Sequence, residues 1–241
     1  MRRMSRFGKL HLIPTLLGET NPEKVVPEEV LEVSRELVHF IAENEKTARR
    51  YLKKAGTKIQ LNDLVFYPLN KRTEATEIPQ LIQPLLEGTD MGLISEAGLA
   101  GIADPGAAVV ELCHKKGIQV IPHTGASSII LALIGSGFNG QQFTFHGYLP
   151  IDQSERRKAI KSMESTHRDT GYTQIFMETP FRNEKLFDEL VQVCHPQSLL
   201  SIAMSITTNQ EMVKTLPIKD WKKQKPSLHK QPCIFSIGNL R

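Results

Sequence analysis

The sequence predicts an α/β fold of two domains, each with a mostly parallel sheet covered by helices. Short apolar runs rich in β-branched residues alternate with helical patterns along all 241 residues, as in chains that build parallel sheets. The strands predicted in this way number nine or ten, more than one ordinary sheet holds. We therefore divide the chain into an N-terminal α/β domain, residues 1–123, and a C-terminal α/β domain, residues 124–241.

The first half of the chain alternates strands and helices with little interruption. The predicted strands are Lys9–Pro14, Val38–Ala42, Leu64–Leu69, Met91–Ser95 and Ile118–Pro122. The predicted helices are Val26–Leu37, Asn44–Lys54, Pro79–Glu87 and Ala107–Lys116. We predict the end of the last helix from two lysines followed by Gly117. Cations stabilise the negative end of a helix, and glycine commonly follows its last residue.

The second half continues the alternation. Helices are predicted at Ser127–Ile134, "QSERRKAIKSMES" and "RNEKLFDELVQVC". Strands are predicted at "FTFHGYLP", "TQIFMETP", "LLSIAMSI" and "PCIFSIG". The basic stretch "KDWKKQKPSLHK", which starts at Lys219, is predicted to be a loop.

Composition limits the class of protein more than its function. A net charge of +4, 40% hydrophobic and 23% charged residues are typical of a globular protein, and no apolar run is long enough to cross a membrane. The basic start of the chain, with Arg2, Arg3 and Arg6, is not followed by a long apolar segment, so we expect no signal peptide. The three cysteines lack the spacing of a disulfide framework or a metal site. We expect a cytoplasmic protein without a metal.

The loop within "LISEAGLAGIADPGAAVVELCHKKG", Leu93–Gly117, leaves a strand and enters a helix. Its glycines match neither a phosphate-binding loop nor a dinucleotide fingerprint, and Asp104 would repel an anion. Two interpretations remain open. Asp104 either meets a cationic or hydroxylated ligand, or caps a helix that begins near Pro105-Gly106 with proline at its first position.

Three further loops follow strands in the same way: "HLIPTLLGET", "IPHTGASS" and "FMETPFR". Ligands of open α/β sheets bind at the carboxyl ends of the strands. Four such loops predict one ligand cleft built by both domains.

Candidates for catalysis are few. No nucleophile motif is present, and Glu43 and His146 are candidates for a general base because each lies near a strand end. Each also has an interpretation without a catalytic role. Glu43 would then be an acid that stabilises the first turn of a helix, and His146 an exposed loop histidine. Trp221, among lysines, either stacks on a base or covers a hydrophobic edge.

Six ordered stretches resemble motifs of one superfamily. The loop "IPTLLGE" is similar to its "VPTPIGN"-type loop, and "IAENEK" to its "AAEDTR". "ISEAGLAGIADPG" resembles "VSDAGTPxISDPG", and "IPHTGASS" resembles "VPxPGPSA". "FTFHGYLP" and "FMETPFR" are similar to "FxFEGFLP" and "FYESPHR". These motifs, over nearly the whole chain, resemble the tetrapyrrole-methylase-like (class III) S-adenosylmethionine-dependent methyltransferases, most of all the small-subunit ribosomal RNA 2′-O-methyltransferase I branch.

The resemblance implies a tetrapyrrole methylase fold, S-adenosyl-L-methionine in the cleft between the two domains, and a homodimer. It also implies the following cofactor contacts: Pro14, Thr15, Ser95, Glu96, Ala97, Gly98, Ile102, Ala103, Asp104, Pro105, Gly106, Thr124, Ser127, Ser128, Glu178, Pro232, Cys233 and Ile234. Methyl transfer from a reactive cofactor depends mainly on positioning, so the lack of a catalytic triad does not argue against an enzyme.

The acceptor is less well defined. The resemblance implies a ribose 2′-hydroxyl of small-subunit ribosomal RNA, held by the cations Arg156, Arg157, Arg182, Lys222 and Lys223. The family's Thr-Arg is Glu45-Lys46 here, and Ser201–Asn209 lacks the family's Arg-Glu pair. Two alternatives therefore stay open: C-methylation of a tetrapyrrole precursor, and a homologue that binds cofactor or RNA without catalysis.

Overall fold

The computed structural model describes residues 7–70 and 72–240, so the basic residues Arg2, Arg3 and Arg6 lie outside the described part. The chain divides into two compact units, Met1–Ser127 and Ser128–Arg241. Each unit contains one five-stranded sheet with helices packed on it, in agreement with the predicted α/β class.

The first unit has a parallel sheet. Its strands are β1 (Leu10–Ile13), β2 (His39–Ala42), β3 (Val65–Pro68), β4 (Met91–Ile94) and β5 (Val120–Pro122). Their order is β3-β2-β4-β1-β5, and every adjacent pair is parallel. Ile94 is level with Ile13 on one side and with Ala42 on the other. The loops that follow these strands therefore leave the sheet at one edge.

Helices cover both faces of this sheet. They are α1 (Glu28–Glu36), α2 (Glu45–Ala55), α3 (Ile78–Leu81), α4 (Gln83–Leu86) and α5 (Gly106–Lys116). Phe40 and Ile13 pack with α1 and α2, whereas Leu10 and Met91 pack with α4 and α5. The predicted helix Pro79–Glu87 is instead two short helices. Pro84 has no N–H to donate and its ring would clash with the preceding turn, so the helix breaks there.

The sheet of the second unit is mostly antiparallel, and the prediction of a mostly parallel sheet is wrong for this unit. Its strands are β6 (Phe143–Tyr148), β7 (Thr173–Met177), β8 (Leu199–Met204), β9 (Met212–Pro217) and β10 (Cys233–Gly238), in the order β6-β7-β10-β8-β9. Strands β6 and β7 pair in parallel, and the other neighbours are antiparallel. The sequence prediction missed β9, which follows β8 after a short turn and must therefore return alongside it in the opposite direction.

The core of the second unit contains Trp221. The helices are α6 (Ser128–Ser136), α7 (Gln153–Thr170), α8 (Asn183–Val193) and α9 (Ile218–Trp221). Trp221 is 1% exposed, meets the edge of Phe187 at 6.0 Å between ring centroids, and donates its indole N–H to the Leu200 carbonyl at 2.8 Å. It covers the hydrophobic core and is not available to stack on a base.

Arg156 is also part of the interior. Its side chain is 4% exposed and donates from Nε and Nη2 to the Glu189 carboxylate, at 2.7 and 2.6 Å. Its Nη1 donates to the carbonyls of Pro150 and Ile151. The bond to Glu189 raises the pKa of Arg156, and the bond to Arg156 lowers the pKa of Glu189. The prediction of Arg156 as an RNA contact is wrong, because its donors are already bound inside the protein.

Candidate functional site

The candidate site of the first unit lies at the carboxyl edge of the parallel sheet. Strand β2 leads outward to β3, whereas β4 leads in the opposite direction to β5. Such a reversal between neighbouring strands is where ligands bind in open α/β sheets. Glu43 and Ser95 are the first residues after these two strands, and Thr15 follows Pro14 after β1.

The loops at this edge are joined by hydrogen bonds and by one close van der Waals contact. The Thr15 amide donates to the Gly98 carbonyl at 2.9 Å, and the Thr15 hydroxyl lies 3.4 Å from the carbonyls of Ser95 and Gly98. A Cβ added to Gly125 would lie 2.2 Å from Pro14 Cβ, so only glycine allows this approach. Three of the loops predicted to hold the cofactor are therefore in mutual contact.

Asp104 closes the loop before α5. Its Oδ1 accepts from the Gly101 amide at 2.9 Å and from the Gly106 amide at 2.7 Å, and its Oδ2 accepts from Gly101 at 3.0 Å. Burial raises the pKa of Asp104, and the two backbone bonds only partly counter it. These bonds agree with the structural interpretation of Asp104, and its contact with a ligand stays a prediction. The helix begins at Gly106 with Pro105 as its N-cap residue, one position away from the predicted arrangement.

The tip of the same loop remains accessible. Gly101 and Ala103 have positive φ values of 87° and 59°, and Ile102 is 45% exposed. A Cβ on Gly101 would meet nothing within 4 Å. The backbone at this tip is therefore open to a ligand.

A cavity of about 230 Å³ lies between the loops and α2. One side is formed by Thr15 and Ser95–Ala97, which the sequence predicted. The other side is formed by four α2 residues that the prediction missed: Thr47, Arg50, Tyr51 and Lys54. Their i, i+3, i+4, i+7 spacing directly after "IAENEK" was the available signal, since it places them on one helical face.

The two candidate bases lie in different units. Glu43 is half-buried and lines a small cavity of about 10 Å³ with Ser95, Asp104 and Pro105. His146 is exposed, and its Nε2 lies 2.8 Å from Oε1 of Gln174. The Gln174 amide nitrogen donates to the Tyr172 carbonyl, so the Gln174 oxygen faces His146 and His146 carries its proton on Nε2.

Most of the predicted cofactor residues of the second unit are buried or form hydrogen bonds within the protein. Glu178 is 4% exposed, and its Oε1 accepts from the Thr179 amide at 2.7 Å and from Arg182 at 2.5 Å. The Pro232 carbonyl accepts from the Ser205 amide at 2.9 Å. The side chain of Cys233 packs into the core, where burial raises its pKa to about 12. The buried side chain of Cys233 faces the core, whereas Ile234 lies on the opposite face of β10. A cofactor contact by the segment Pro232–Ile234 stays a prediction.

The other predicted residues differ in their accessibility. Arg157 donates to Gln192 at 2.5 Å, and Lys222 and Lys223 are exposed, with Lys223 at 3.6 Å from Asp220. Thr124 is exposed, Ser127 is half-buried, and Ser128 is the first residue of α6. Within residues 7–70 and 72–240 there is no cluster of His, Cys, Asp and Glu fit to hold a metal, and no helix with the length and apolarity needed to span a membrane.

Comparison with known proteins identifies relatives over nearly the whole chain. No family model matches it. Ribosomal RNA small subunit methyltransferase I of Escherichia coli O157:H7 is 27% identical over 233 residues, which are 95% of this chain and 77% of that protein. The protein of the same name from Halalkalibacterium halodurans is 30% identical over 204 residues, covering 85% of this chain and 66% of that protein.

Two solved structures have a similar fold. The methyltransferase CobJ matches with a TM-score of 0.62 and 16% identity, covering 96% of this chain and 94% of that chain. The cobalamin biosynthetic enzyme cobalt precorrin-4 methyltransferase CbiF matches with a TM-score of 0.58 and 12% identity, over 95% and 94%. The fold is that of the tetrapyrrole methylases. The relatives that match nearly the whole of this chain bear the name ribosomal RNA small subunit methyltransferase I.

Removal of the Asp104 carboxylate tests its structural role. Asp104→Ala leaves the Gly101 and Gly106 amides without an acceptor, so we expect the free energy of unfolding to fall by about 1–3 kcal/mol. Asp104→Asn keeps one oxygen for both amides and should cost less than half of that. Thermal unfolding, with hydrogen exchange of the two amides, measures both changes. Unchanged exchange at Gly106 in the alanine variant would contradict this role.

Proposed function

We propose that the protein is an S-adenosylmethionine-dependent methyltransferase whose acceptor is a ribose 2′-hydroxyl of small-subunit ribosomal RNA. The observation that carries this proposal is the match to the methyltransferase I relatives over 95% of the chain, together with the contact between the loops after β1, β4 and β5. These loops stand where ligands bind in such sheets.

The first unit's residues fit S-adenosylmethionine better than a phosphate ligand. Asp104 already occupies the Gly101 and Gly106 amides, so the start of α5 has few free donors for a phosphate. A sulfonium cofactor needs close backbone and a few polar groups instead. Thr15, the Ser95–Gly98 turn and the open tip at Ile102–Ala103 would hold it, with Thr124–Ser128, Glu178, Pro232 and Ile234 as further predicted contacts. When bound, this cofactor supplies an electrophilic methyl group.

Glu43 is the proposed general base. It follows β2 directly, beside Ser95 of the proposed cofactor loops, and its half-buried carboxylate is suited to accept the proton of an attacking hydroxyl. The changed family positions do not argue against catalysis. Glu45 accepts from Arg49 Nε at 2.8 Å within α2, and Lys46 is exposed to solvent. Both residues therefore lie on the surface of the helix.

Substitution of Glu43 and of His146 tests which of these two residues is the general base. Glu43→Gln keeps the size of the side chain but removes its basicity, so we expect kcat to fall by about 10²-fold or more, while cofactor affinity is retained. His146→Gln is the matched control and should leave kcat near the wild-type value. Single-turnover methyl transfer and calorimetry measure these quantities. A large loss in the His146 variant alone would assign the base to the second unit.

The acceptor can be identified by labelled-methyl transfer. The purified protein is incubated with labelled S-adenosylmethionine and either hypomethylated small ribosomal subunits or a tetrapyrrole precursor. We expect label in the RNA, in dinucleotides that resist alkali, because a methylated 2′-oxygen cannot attack the neighbouring phosphodiester. Transfer to the tetrapyrrole alone would establish C-methylation. Cofactor binding with transfer to neither would favour a homologue without catalysis, and absence of cofactor binding would reject the whole proposal.

We also propose that the protein is a cytoplasmic homodimer. The supporting feature is an apolar patch on the second unit, where Ile130 and Ile134 of α6 are 45% and 69% exposed. Val213 of β9, next to Gly135, and Leu240, next to Gly137, extend it. Exposed apolar residues of this kind are characteristic of protein interfaces.

A charged residue in the patch tests the dimer. Ile134→Asp should shift the protein from dimer to monomer in analytical ultracentrifugation, because a carboxylate would be buried without a partner. Ile151→Asp, at another exposed isoleucine of the second unit, is the control and should remain dimeric. A wild-type monomer at micromolar concentration would contradict the assembly.

A further inference from the structure

Helix α2 carries an unusual concentration of positive charge. Its sequence, "EKTARRYLKKA", contains five cations and one acid. Arg49 is turned inward: its guanidinium lies 4.6 Å from the centre of the Phe66 ring, and it donates to Glu45 and to the Leu61 carbonyl. The remaining cations face solvent.

Three of these cations form one stripe. Lys46, Arg50 and Lys53 follow each other at i, i+4 and i+7, so they share a helical face, and all three are exposed. In the described part of the chain none of the three forms an ion pair, whereas the neighbouring Lys54 pairs with Glu19. We call Lys46, Arg50 and Lys53 the α2 stripe.

The α2 stripe adjoins the proposed methyl-transfer site. Arg50 lines the cavity of about 230 Å³ that is also lined by Thr15 and Ser95 of the proposed cofactor loops. Glu19 and Glu96 are the carboxylates of this lining. Lys54, and less strongly Arg50, lower the pKa of Glu19, so Glu19 is held as an anion by Lys54. Such an exposed pair contributes little and can rearrange when another anion approaches.

We infer that the α2 stripe binds successive phosphates of the RNA strand that carries the acceptor hydroxyl. Seven residues of α-helix span about 10 Å, and one nucleic-acid strand carries a charge roughly every 3.4 Å along the helix axis, so the stripe matches several phosphates. Its exposure favours a long polyanion over a small enclosed ligand. This inference rests on the proposed RNA acceptor.

The stripe also differs from the basic loop of the second unit. In that loop Lys223 lies near Asp220, and Lys225 donates to both oxygens of Asp188. These carboxylates reduce the positive field that the loop offers to a phosphate. Lys222 stays a predicted RNA contact, but the α2 stripe places its three cations without an ion pair on one helical face.

The test compares two variants with the same change in charge. The stripe variant carries Lys46→Gln, Arg50→Gln and Lys53→Gln, since glutamine has a similar helix propensity. The control carries Lys116→Gln, Lys158→Gln and Lys161→Gln, at exposed positions of α5 and α7. Binding of deproteinised small-subunit ribosomal RNA is measured by fluorescence anisotropy at several salt concentrations, without cofactor. Calorimetry with S-adenosylmethionine is run in parallel.

We expect the stripe variant to bind the RNA at least about tenfold more weakly, with a salt slope smaller by about 2, because three phosphate contacts are lost. Arg50→Gln alone should lower the slope by about 0.7. The control should bind both the RNA and the cofactor like the wild type. In methyl transfer, Lys46→Gln with Lys53→Gln, which leaves Arg50 in the cavity lining, should raise KM for the RNA and keep the cofactor affinity and kcat of the wild type.

Equal RNA binding by the stripe variant and the wild type would overturn the inference, and so would an equal loss in the control. Tight binding of a tetrapyrrole polycarboxylate such as uroporphyrin, lost in the stripe variant, with no RNA binding by the wild type, would overturn it in favour of a different acceptor. Failure of the wild type to bind S-adenosylmethionine would instead reject the proposed function, while the RNA measurements would still decide the role of the stripe.

Discussion

The hydrogen bond from the Thr15 amide to the Gly98 carbonyl joins the loops on which the site depends. Strands β1 and β4 are parallel neighbours, so their loops leave the sheet side by side, and this bond of 2.9 Å keeps them together. The close approach of Gly125 to Pro14 adds the loop after β5. These contacts are made by backbone groups and small residues. They therefore put no large side chain at the carboxyl edge of the sheet, where a ligand would bind.

Asp104 decides what kind of ligand this edge can receive. A helix that begins at the carboxyl end of a strand would ordinarily offer its first amides to an anion. Here a half-buried carboxylate accepts from the amides of Gly101 and Gly106. The same fold element that holds phosphates elsewhere is thereby suited to a ligand without a phosphate. The exposed cations that we propose to bind a polyanionic substrate lie on α2 instead.

Much of the first unit could be predicted from local sequence, and less of the second. Each strand of the parallel sheet lies within its predicted segment, because these segments are continuous runs of mostly apolar and β-forming residues. Strand β9, "MVKTLP", is a half-exposed edge strand with a lysine and a threonine, so it lacks that signal. Once β9 was missed, the antiparallel order of the second sheet could not be inferred. The family and its loop motifs were recognisable from sequence, and the comparisons confirm that recognition.

The sequence by itself determined the α/β class, the order of the loops and the family, since these depend on local patterns and motifs. Only the tertiary structure decided which charged residues are available. Arg156 is bound by Glu189, thirty-three residues further along the chain, and Lys54 by Glu19, thirty-five residues before it. A pattern of neighbouring residues cannot reveal such partners. A cation that folding leaves exposed and unpaired is better placed to bind a phosphate than a buried and paired one. The proposed RNA contact therefore moves from Arg156 to helix α2.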